Sequence, residues 1–225
     1  MGLLTPSSNP HRTRIKICGL TRADDIQAAV QAGVDAIGFV FYKPSPRYID
    51  PGQAARLMLR IPPQIDTVGL VVNPSAAELR AIETLAKVNL WQFHGDEDPV
   101  QCARLALDKP WLKAARIGEV FPFDDFSLQY RYASGLLLDA LVEGYGGGGV
   151  PFNWNLIPQT WVNANAHRVV LSGGLNAHNV GEAIARLHPQ AVDVSSSVEV
   201  SKGVKDPALI DAFVKAVHAA DAAYL

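Results

Sequence analysis

The chain has 225 residues, 48% of them apolar, which is enough to bury a sizeable core in one domain or two. Its formal net charge of -2 and its sequence pI of about 6.3 do not favour a nucleic acid or an anionic membrane as the main partner. No apolar run approaches the roughly 20 residues that are needed to span a bilayer.

The first 13 residues, MGLLTPSSNPHRT, form a short segment with a polar second half and two prolines. They are too few and too polar for the apolar region of a secretory signal, and they contain no convincing cleavage site. We therefore expect a flexible leader over residues 1–13 and a single folded domain over residues 14–225.

Eight short runs rich in apolar and β-branched residues predict strands. Several of these runs are almost continuously apolar, which is typical of parallel strands that are buried on both faces. The predicted strands are Arg14–Cys18, Ala36–Val40, Thr67–Val72, Asn89–Phe93, Trp111–Ala115, Leu136–Asp139, Arg168–Leu171 and Ala191–Val194.

Segments with helical periodicity and start signals lie between these strands. Capping patterns begin three of them, namely Thr21 with Asp24, Ser75 with Glu78, and Asp206 with Pro207. Two segments are less regular: residues 120–130 carry a proline and several aromatic residues, and the glycine-rich stretch after Asp139 leaves room only for a short helix around residues 154–157.

Eight strands alternating with about eight helices correspond to roughly 28 residues per unit, which predicts a compact, single (β/α)8 TIM barrel of the α/β class. An open, doubly wound sheet is the competing architecture. It is less favoured because no G-x-G-x-x-G pattern follows the first strand.

In such a barrel the active site lies where the strands end at their carboxyl side. Polar, titratable or glycine residues occupy most of these points: Cys18, the loop 42–47, Asn73, His94, Arg116, Asp139, Gly173, Gly174 and residues 195–197. The sequence therefore places a candidate site at this end of the barrel.

Cys18 ends the first strand, directly before Gly19 and a predicted helix start. A lone cysteine is most often a small buried hydrophobe, but a helix N-terminus and nearby cations favour a reactive thiolate. Cys102 lies within a helical run and is expected only to pack. With two cysteines and no C-x-x-C there is no disulfide framework and no zinc pattern, so we expect a reducing, cytoplasmic location and no metal.

Asp139 ends a buried strand, where a carboxylate is costly unless it is hydrogen-bonded or functional; a loop cap is the alternative role. Arg47 follows two prolines and suits bidentate capture of a carboxylate or phosphate, although a solvated arginine fits the pattern as well. His94 is a candidate to line the site or simply a satisfied histidine.

Two small polar loops follow the last two strands, with Gly173 and Gly174 in one and Ser195 and Ser196 in the other. Barrels of this type often bind phosphate at these positions on backbone N–H groups. Ordinary tight turns are the alternative. Glycines in the loop after Asp139, among them Gly146 and Gly147, would let the backbone approach a ligand closely.

Motifs along nearly the whole chain resemble those of the phosphoribosylanthranilate isomerase family. They are KICGLTR at 16–22, GFVFYKPSPRYI at 38–49, VGLVVN at 68–73, QFHGDE at 92–97, LLLDA at 136–140, LSGGL at 171–175, VDVSSSVE at 192–199 and GVKD at 203–206. The resemblance implies a cofactor-independent barrel enzyme of tryptophan biosynthesis.

The family reaction is an Amadori rearrangement of N-(5-phosphoribosyl)anthranilate to 1-(o-carboxyphenylamino)-1-deoxyribulose 5-phosphate. The resemblance implies Cys18 as general base, Asp139 as general acid and Arg47 as the group that holds the anthranilate carboxylate. It also implies phosphate binding by the loops at 173–174 and 195–196, closure by the glycine loop, and a small phosphosugar as the partner, bound by what we expect to be a monomer.

Three positions depart from the usual family pattern: Gly148 stands where a hydroxyl residue is common, Asn153 where an acid is common, and Ser197 where glycine is common. These changes bear on loop closure and affinity. The histidine-pathway phosphoribosyl isomerase resembles the chain less, because that family has aspartate in place of Cys18. Indoleglycerol-phosphate synthase would need lysine and glutamate at strand ends. A catalytically silent phosphosugar-binding barrel is the alternative outside enzymes.

Overall fold

The computed structural model describes residues 2–4, 12–141 and 153–223, and within these ranges the chain forms a closed eight-stranded parallel barrel. The strands follow the chain order around the barrel and are β1 Arg14–Cys18, β2 Ala36–Val40, β3 Asp66–Val71, β4 Leu90–Phe93, β5 Trp111–Ile117, β6 Gly135–Ala140, β7 Val169–Leu171 and β8 Ala191–Val194. Strand β1 pairs with both β2 and β8, which closes the barrel. The predicted (β/α)8 fold is confirmed, and the open sheet is excluded.

Eight α-helices in the described part of the chain surround the barrel: α1 Ala23–Ala32, α2 Pro51–Met58, α3 Ala76–Leu85, α4 Pro99–Leu105, α5 Phe123–Gln129, α6 Gln159–Asn165, α7 Val180–Leu187 and α8 Pro207–Ala222. Short 3-10 helices occupy Trp154–Leu156, Ala166–Arg168 and Ser196–Val198. A small antiparallel hairpin, β9 Glu199–Ser201 and β10 Val204–Lys205, lies between β8 and α8. No helix in the described ranges is both long and apolar enough to cross a bilayer.

Two of the predicted helix starts are confirmed and one is wrong. Ser75 forms a capping box with Glu78, and the Asp206 side chain accepts the Ala208 N–H at the start of α8. Helix α1 has no side-chain cap, and its N-cap is Arg22. The Thr21 hydroxyl donates instead to the carbonyl oxygen of Gly203, at 3.0 Å, so a contact with a distant turn replaces the predicted local cap.

The segment after the glycine-rich stretch holds more helix than the sequence predicted. The expected short helix is present as a 3-10 turn, Trp154–Leu156, but the seven-residue α6 follows it and was missed. Trp161 and Val162 of α6 are buried, so tertiary packing stabilises a helix whose sequence, QTWVNAN, carries little periodic signal.

Side chains alternate along each strand between the barrel interior and the helices. The outward-facing ones, such as Ile15 and Ile17 of β1, belong to the main core under the helices. The inward-facing ones towards the amino-terminal ends of the strands form a separate apolar group, here called the basal cluster: Leu3, Ala36, Val68, Leu90, Leu112, Ala114, Leu137, Val170 and Ala191. The barrel interior is therefore solid at this end.

Leu3, from the predicted leader, is fully buried in the basal cluster, and its N–H donates to Asp66 Oδ2 at 2.7 Å. At the other edge of the leader, Thr13 donates through its N–H and its hydroxyl to the carboxylate of Asp221 in α8. Residues 5–11 lie outside the described ranges. The flexible leader as a whole stays a prediction, while residues 2–4 contact the barrel.

Candidate active site

Eight of the candidate site residues within the described ranges line one cavity at the carboxyl ends of the strands. These residues are Cys18, Arg47, His94, Asp139, Gly173, Gly174, Ser195 and Ser196. The cavity opens to solvent, and the empty space in and above it is about 680 Å³. Gly146, Gly147 and Gly148 lie outside the described residues.

Two other strand-end residues are not part of this cavity. Asn73 follows β3 and accepts the Asp96 N–H with its side-chain oxygen, away from the cavity. Arg116, near the end of β5, pairs with Asp96 at 2.6 Å on a partly exposed surface. A strand-end position therefore did not suffice to place a polar residue in the site.

Cys18 is buried, and burial raises the pKa of its thiol above the ordinary value, although the neighbouring Lys16 and Lys205 lower it. Burial therefore opposes the thiolate that the helix start and the nearby cations favour. A side chain added at Gly38 would lie 2.9 Å from Cys18 Sγ and 3.2 Å from Lys16 Nζ, so only glycine leaves room for the thiol and the ammonium here.

Lys16 and Asp193 form an ion pair directly below the thiol, with 2.8 Å between Nζ and Oδ1. Burial alone would lower the pKa of Lys16, but the charge of Asp193 and the neighbouring Cys18 raise it, so the ammonium stays charged. A permanent positive charge next to Cys18 stabilises the thiolate and so offsets part of the effect of burial on the pKa of the thiol. Sequence analysis did not assign these two residues to the site.

Asp139 ends β6 with one carboxylate oxygen bound to the backbone, since Oδ1 accepts the Ala140 N–H at 2.8 Å. The other oxygen, Oδ2, lies 3.4 Å from His94 Nε2, without an aligned hydrogen bond. Gln92 Nε2 lies 3.0 Å from His94 Nδ1. Because an amide nitrogen only donates, Nδ1 accepts, and the ring proton of a neutral His94 is on Nε2, facing Asp139.

Arg47 is buried, and its guanidinium is bound to Glu199 through two parallel hydrogen bonds of 2.8 Å, from Nε to Oε1 and from Nη2 to Oε2. The hydrogen bonds with Glu199 raise the pKa of Arg47. Lys205 Nζ also contacts Glu199, at 2.8 Å, and donates to the Ser195 carbonyl oxygen at 2.9 Å. Sequence analysis missed Glu199 and Lys205.

The two small polar loops approach each other at the cavity wall. Gly173 and Gly174 have φ values of 79° and 68°, a left-handed conformation that favours glycine. The Ser195 hydroxyl donates to the Cys18 carbonyl oxygen at 3.0 Å, which ties this loop to the end of β1. The Ser197 hydroxyl, at a position that departs from the family pattern, donates to the Leu175 carbonyl oxygen and so joins the two loops.

Comparisons with known proteins agree with this geometry. The family model described as N-(5'phosphoribosyl)anthranilate (PRA) isomerase matches residues 15–216. The N-(5'-phosphoribosyl)anthranilate isomerase of Dechloromonas aromatica is 54% identical over 210 residues, covering 93% of this chain and 98% of that protein. The enzyme of the same name from Ralstonia nicotianae is 52% identical over 220 residues, covering 95% and 96%.

Solved structures of the same name share the fold. The crystal structure of phosphoribosyl anthranilate isomerase from Thermotoga maritima matches with a TM-score of 0.82 and 38% identity, covering 92% of this chain and 99% of that one. A phosphoribosyl anthranilate isomerase in complex with reduced 1-(o-carboxyphenylamino)-1-deoxyribulose 5-phosphate matches with a TM-score of 0.80 and 36% identity, with the same coverage. The chain belongs to the N-(5'-phosphoribosyl)anthranilate isomerase family.

Proposed function

We propose that the chain catalyses the Amadori rearrangement of N-(5'-phosphoribosyl)anthranilate to 1-(o-carboxyphenylamino)-1-deoxyribulose 5-phosphate, in tryptophan biosynthesis, with Cys18 as general base and Asp139 as general acid. The observation that carries the proposal is that a thiol and a carboxyl group, from the ends of β1 and β6, line one cavity with Arg47 and two small polar loops. Family membership supports the same reaction.

Protonated Asp139 transfers its proton to the ring oxygen of the ribose as the bond from that oxygen to C1 breaks, which opens the sugar to an iminium. The Cys18 thiolate then removes the proton from C2, and the electron pair neutralises the iminium nitrogen to give an enolamine. Tautomerisation of the enolamine gives the ketone. A proton passes from Cys18 back to Asp139 before the next turnover.

One proton is thus shared by two groups, and the active form carries it on Asp139 with Cys18 as thiolate. Burial favours the neutral thiol of Cys18 and so works against the active form. The charged Lys16 offsets part of that effect, so the ion pair below Cys18 sets how much of the active form is present.

Two groups of residues in the lining of the cavity would hold the two ends of the substrate. Arg47 is the group for the anthranilate carboxylate, and backbone N–H groups at Gly173, Gly174, Ser195 and Ser196 are the groups for the phosphate. A co-crystallised relative binds a reduced phosphosugar of this type, which supports a phosphosugar ligand here. A monomeric state, a cytoplasmic location and the absence of a cofactor stay predictions.

The experiment is to mix the purified chain with freshly made phosphoribosylanthranilate and to follow the loss of its anthranilate fluorescence. We expect turnover, and we expect Cys18→Ala and Asp139→Asn each to lower kcat by about 100-fold to 10,000-fold. Cys102→Ala is the matched control: this buried thiol lies in α4, where burial raises its pKa to about 12, and its loss should leave kcat unchanged.

Saturable binding without turnover by the unmutated chain would contradict the enzyme assignment and leave a phosphosugar-binding barrel. Turnover that survives in Cys18→Ala or Asp139→Asn would leave the reaction in place but remove that residue from the mechanism.

A further inference from the structure

The hairpin β9–β10 carries a buried carboxylate that contacts two cations. The side chain of Glu199 is 4% exposed, that of Arg47 is 8% exposed and that of Lys205 is fully buried. Burial alone would raise the pKa of Glu199, but the hydrogen bonds from Arg47 and Lys205 lower it below the ordinary value. Glu199 is therefore an anion between two basic groups. Burial lowers the pKa of Lys205, the contact with Glu199 opposes that effect, and with Lys205 protonated the group of three carries one net positive charge.

Glu199 occupies only one edge of the Arg47 guanidinium. It takes Nε and Nη2, and Nη1 has no hydrogen-bond partner among the described residues. A guanidinium is planar and offers a second pair of donors, Nη1 with the remaining proton of Nη2, that matches a carboxylate. Because Arg47 also lines the cavity, this second edge is available to a bound anion while the first edge stays on Glu199.

The hairpin that carries Glu199 is itself fixed to the barrel. The Lys205 N–H donates to Asp25 Oδ2 at 3.3 Å, and Thr21 donates to the Gly203 carbonyl oxygen at 3.0 Å. A Cβ atom at Gly203 would lie 3.1 Å from the carbonyl oxygen of Pro46, the residue before Arg47, so the turn of the hairpin lies directly against the arginine loop. These contacts hold the hairpin against the barrel, and so they fix the position of Glu199 relative to Arg47.

Lys205 links the same carboxylate to Ser195, which lines the cavity. Its Nζ contacts Glu199 Oε1 at 2.8 Å, the Ser195 carbonyl oxygen at 2.9 Å and Ser195 Oγ at 3.3 Å. Ser195 belongs to the loop assigned above to the phosphate. One chain of hydrogen bonds therefore connects the candidate carboxylate-binding group with the candidate phosphate-binding loop.

We propose that Glu199 is a positioning residue that holds Arg47 by its Nε–Nη2 edge, so that the other edge of the guanidinium binds the ortho-carboxylate of the substrate at a fixed distance from the Ser195 loop. The proposal rests on the proposed function, since it takes the aromatic carboxylate as the ligand of Arg47. Preorganisation of this kind reduces the entropy that is lost when the carboxylate binds. Lys205 leaves the group with the net positive charge that an incoming anion requires.

Two ligands separate this role from a merely structural one. The first is reduced 1-(o-carboxyphenylamino)-1-deoxyribulose 5-phosphate, and the second is the same molecule without the ring carboxylate. Titration calorimetry would give the dissociation constants of both for the unmutated chain, Glu199→Gln, Glu199→Asp, Arg47→Met and the control Glu119→Gln. Glu119 is an exposed glutamate outside the cavity.

We expect Glu199→Gln to weaken binding of the carboxylated ligand by about 10-fold or more, because one charge-assisted hydrogen bond to the cations is lost. Binding of the ligand without the carboxylate should be almost unchanged, which also shows that the variant is folded. Glu199→Asp keeps the charge but retracts the carboxylate, and it should produce the same selective loss to a smaller extent. Glu119→Gln should change neither dissociation constant.

The outcomes distinguish the two proposals. If Arg47→Met still prefers the carboxylated ligand, the assignment of Arg47 in the proposed function is wrong. If Arg47→Met loses that preference but Glu199→Gln keeps it, Glu199 does not position the arginine. Equal weakening of both ligands by Glu199→Gln would make its role structural, and tighter binding of the carboxylated ligand would make Glu199 a competitor; either result overturns the positioning role.

Discussion

The two ends of the barrel interior are built on the same alternation of side chains but have opposite chemistry. Towards the amino-terminal ends of the strands most inward-facing side chains are apolar and form the basal cluster, whereas the buried Arg14 of β1 is paired with Asp35. Further along the same strands they become Lys16 and Asp193, and then Cys18 and Asp139. The role of an inward-facing polar residue on a barrel strand therefore depends on how close it lies to the carboxyl end of that strand.

The reason is the cost of burial. No ligand enters the closed end, so an unpaired polar side chain there would lose its hydrogen bonds to water and gain no contact with a ligand. At the open end the costly groups are paired, as Lys16 is with Asp193, or they face the cavity. Variants at the open end should therefore change the activity, whereas variants in the basal cluster should change only the free energy of unfolding.

The largest effect is expected for Lys16→Met, which removes one member of a buried pair and leaves Asp193 unpaired. We expect the free energy of unfolding to fall by about 3–5 kcal/mol, measured by urea unfolding. Loss of the nearby ammonium should also raise the pKa of Cys18, so kcat/KM should fall and the alkaline limb of its pH profile should move to higher pH.

The double variant Lys16→Met with Asp193→Asn is the control for this prediction. It removes the unpaired charge and should recover most of the stability. The alkaline limb should stay displaced but by less, because the charge of Asp193 itself raises the pKa of Cys18 and is lost as well. An alkaline limb that does not move in the single variant would show that Lys16 has no influence on the base.

A smaller effect, confined to stability, is expected for Leu112→Ala in the basal cluster. Leu112 is fully buried in β5, a strand that contributes no residue to the lining of the described cavity. We expect a loss of about 2–5 kcal/mol in the free energy of unfolding. The kcat/KM measured well below the unfolding transition should be unchanged, and a large fall would show that the two ends are coupled.

The smallest of the three effects is expected for Leu3→Ala, because residues 2–4 can detach without unfolding the barrel. Removing this buried side chain should lower the free energy of unfolding by about 2 kcal/mol. Leu4→Ala is the matched control, since Leu4 is only partly buried, and it should cost less. No change for Leu3→Ala would mean that the flexible leader includes these residues in solution.

Local sequence was sufficient for the framework of this protein. Runs of β-branched and apolar residues fix where strands form, and the boundaries of β1, β2 and β8 agree with the prediction at both ends. Capping chemistry that involves neighbours only, as in the box of Ser75 and Glu78, was also predicted correctly. The rule that strands of such barrels carry function at their carboxyl ends then selected Cys18, Asp139 and the two small polar loops.

Only the tertiary structure decided which charged residues support that site. Lys16 and Asp193 are 177 residues apart in the chain, and Arg47 and Glu199 are 152 apart, so no periodicity could reveal either pair. The same competition from distant partners explains the one capping error, since Thr21 bonds to a turn 182 residues away. Sequence determined the strands and the candidate reactive groups, because these depend on neighbours along the chain. Closure of the barrel determined the ion pairs, because it alone brings β8 and its hairpin beside β1 and β2.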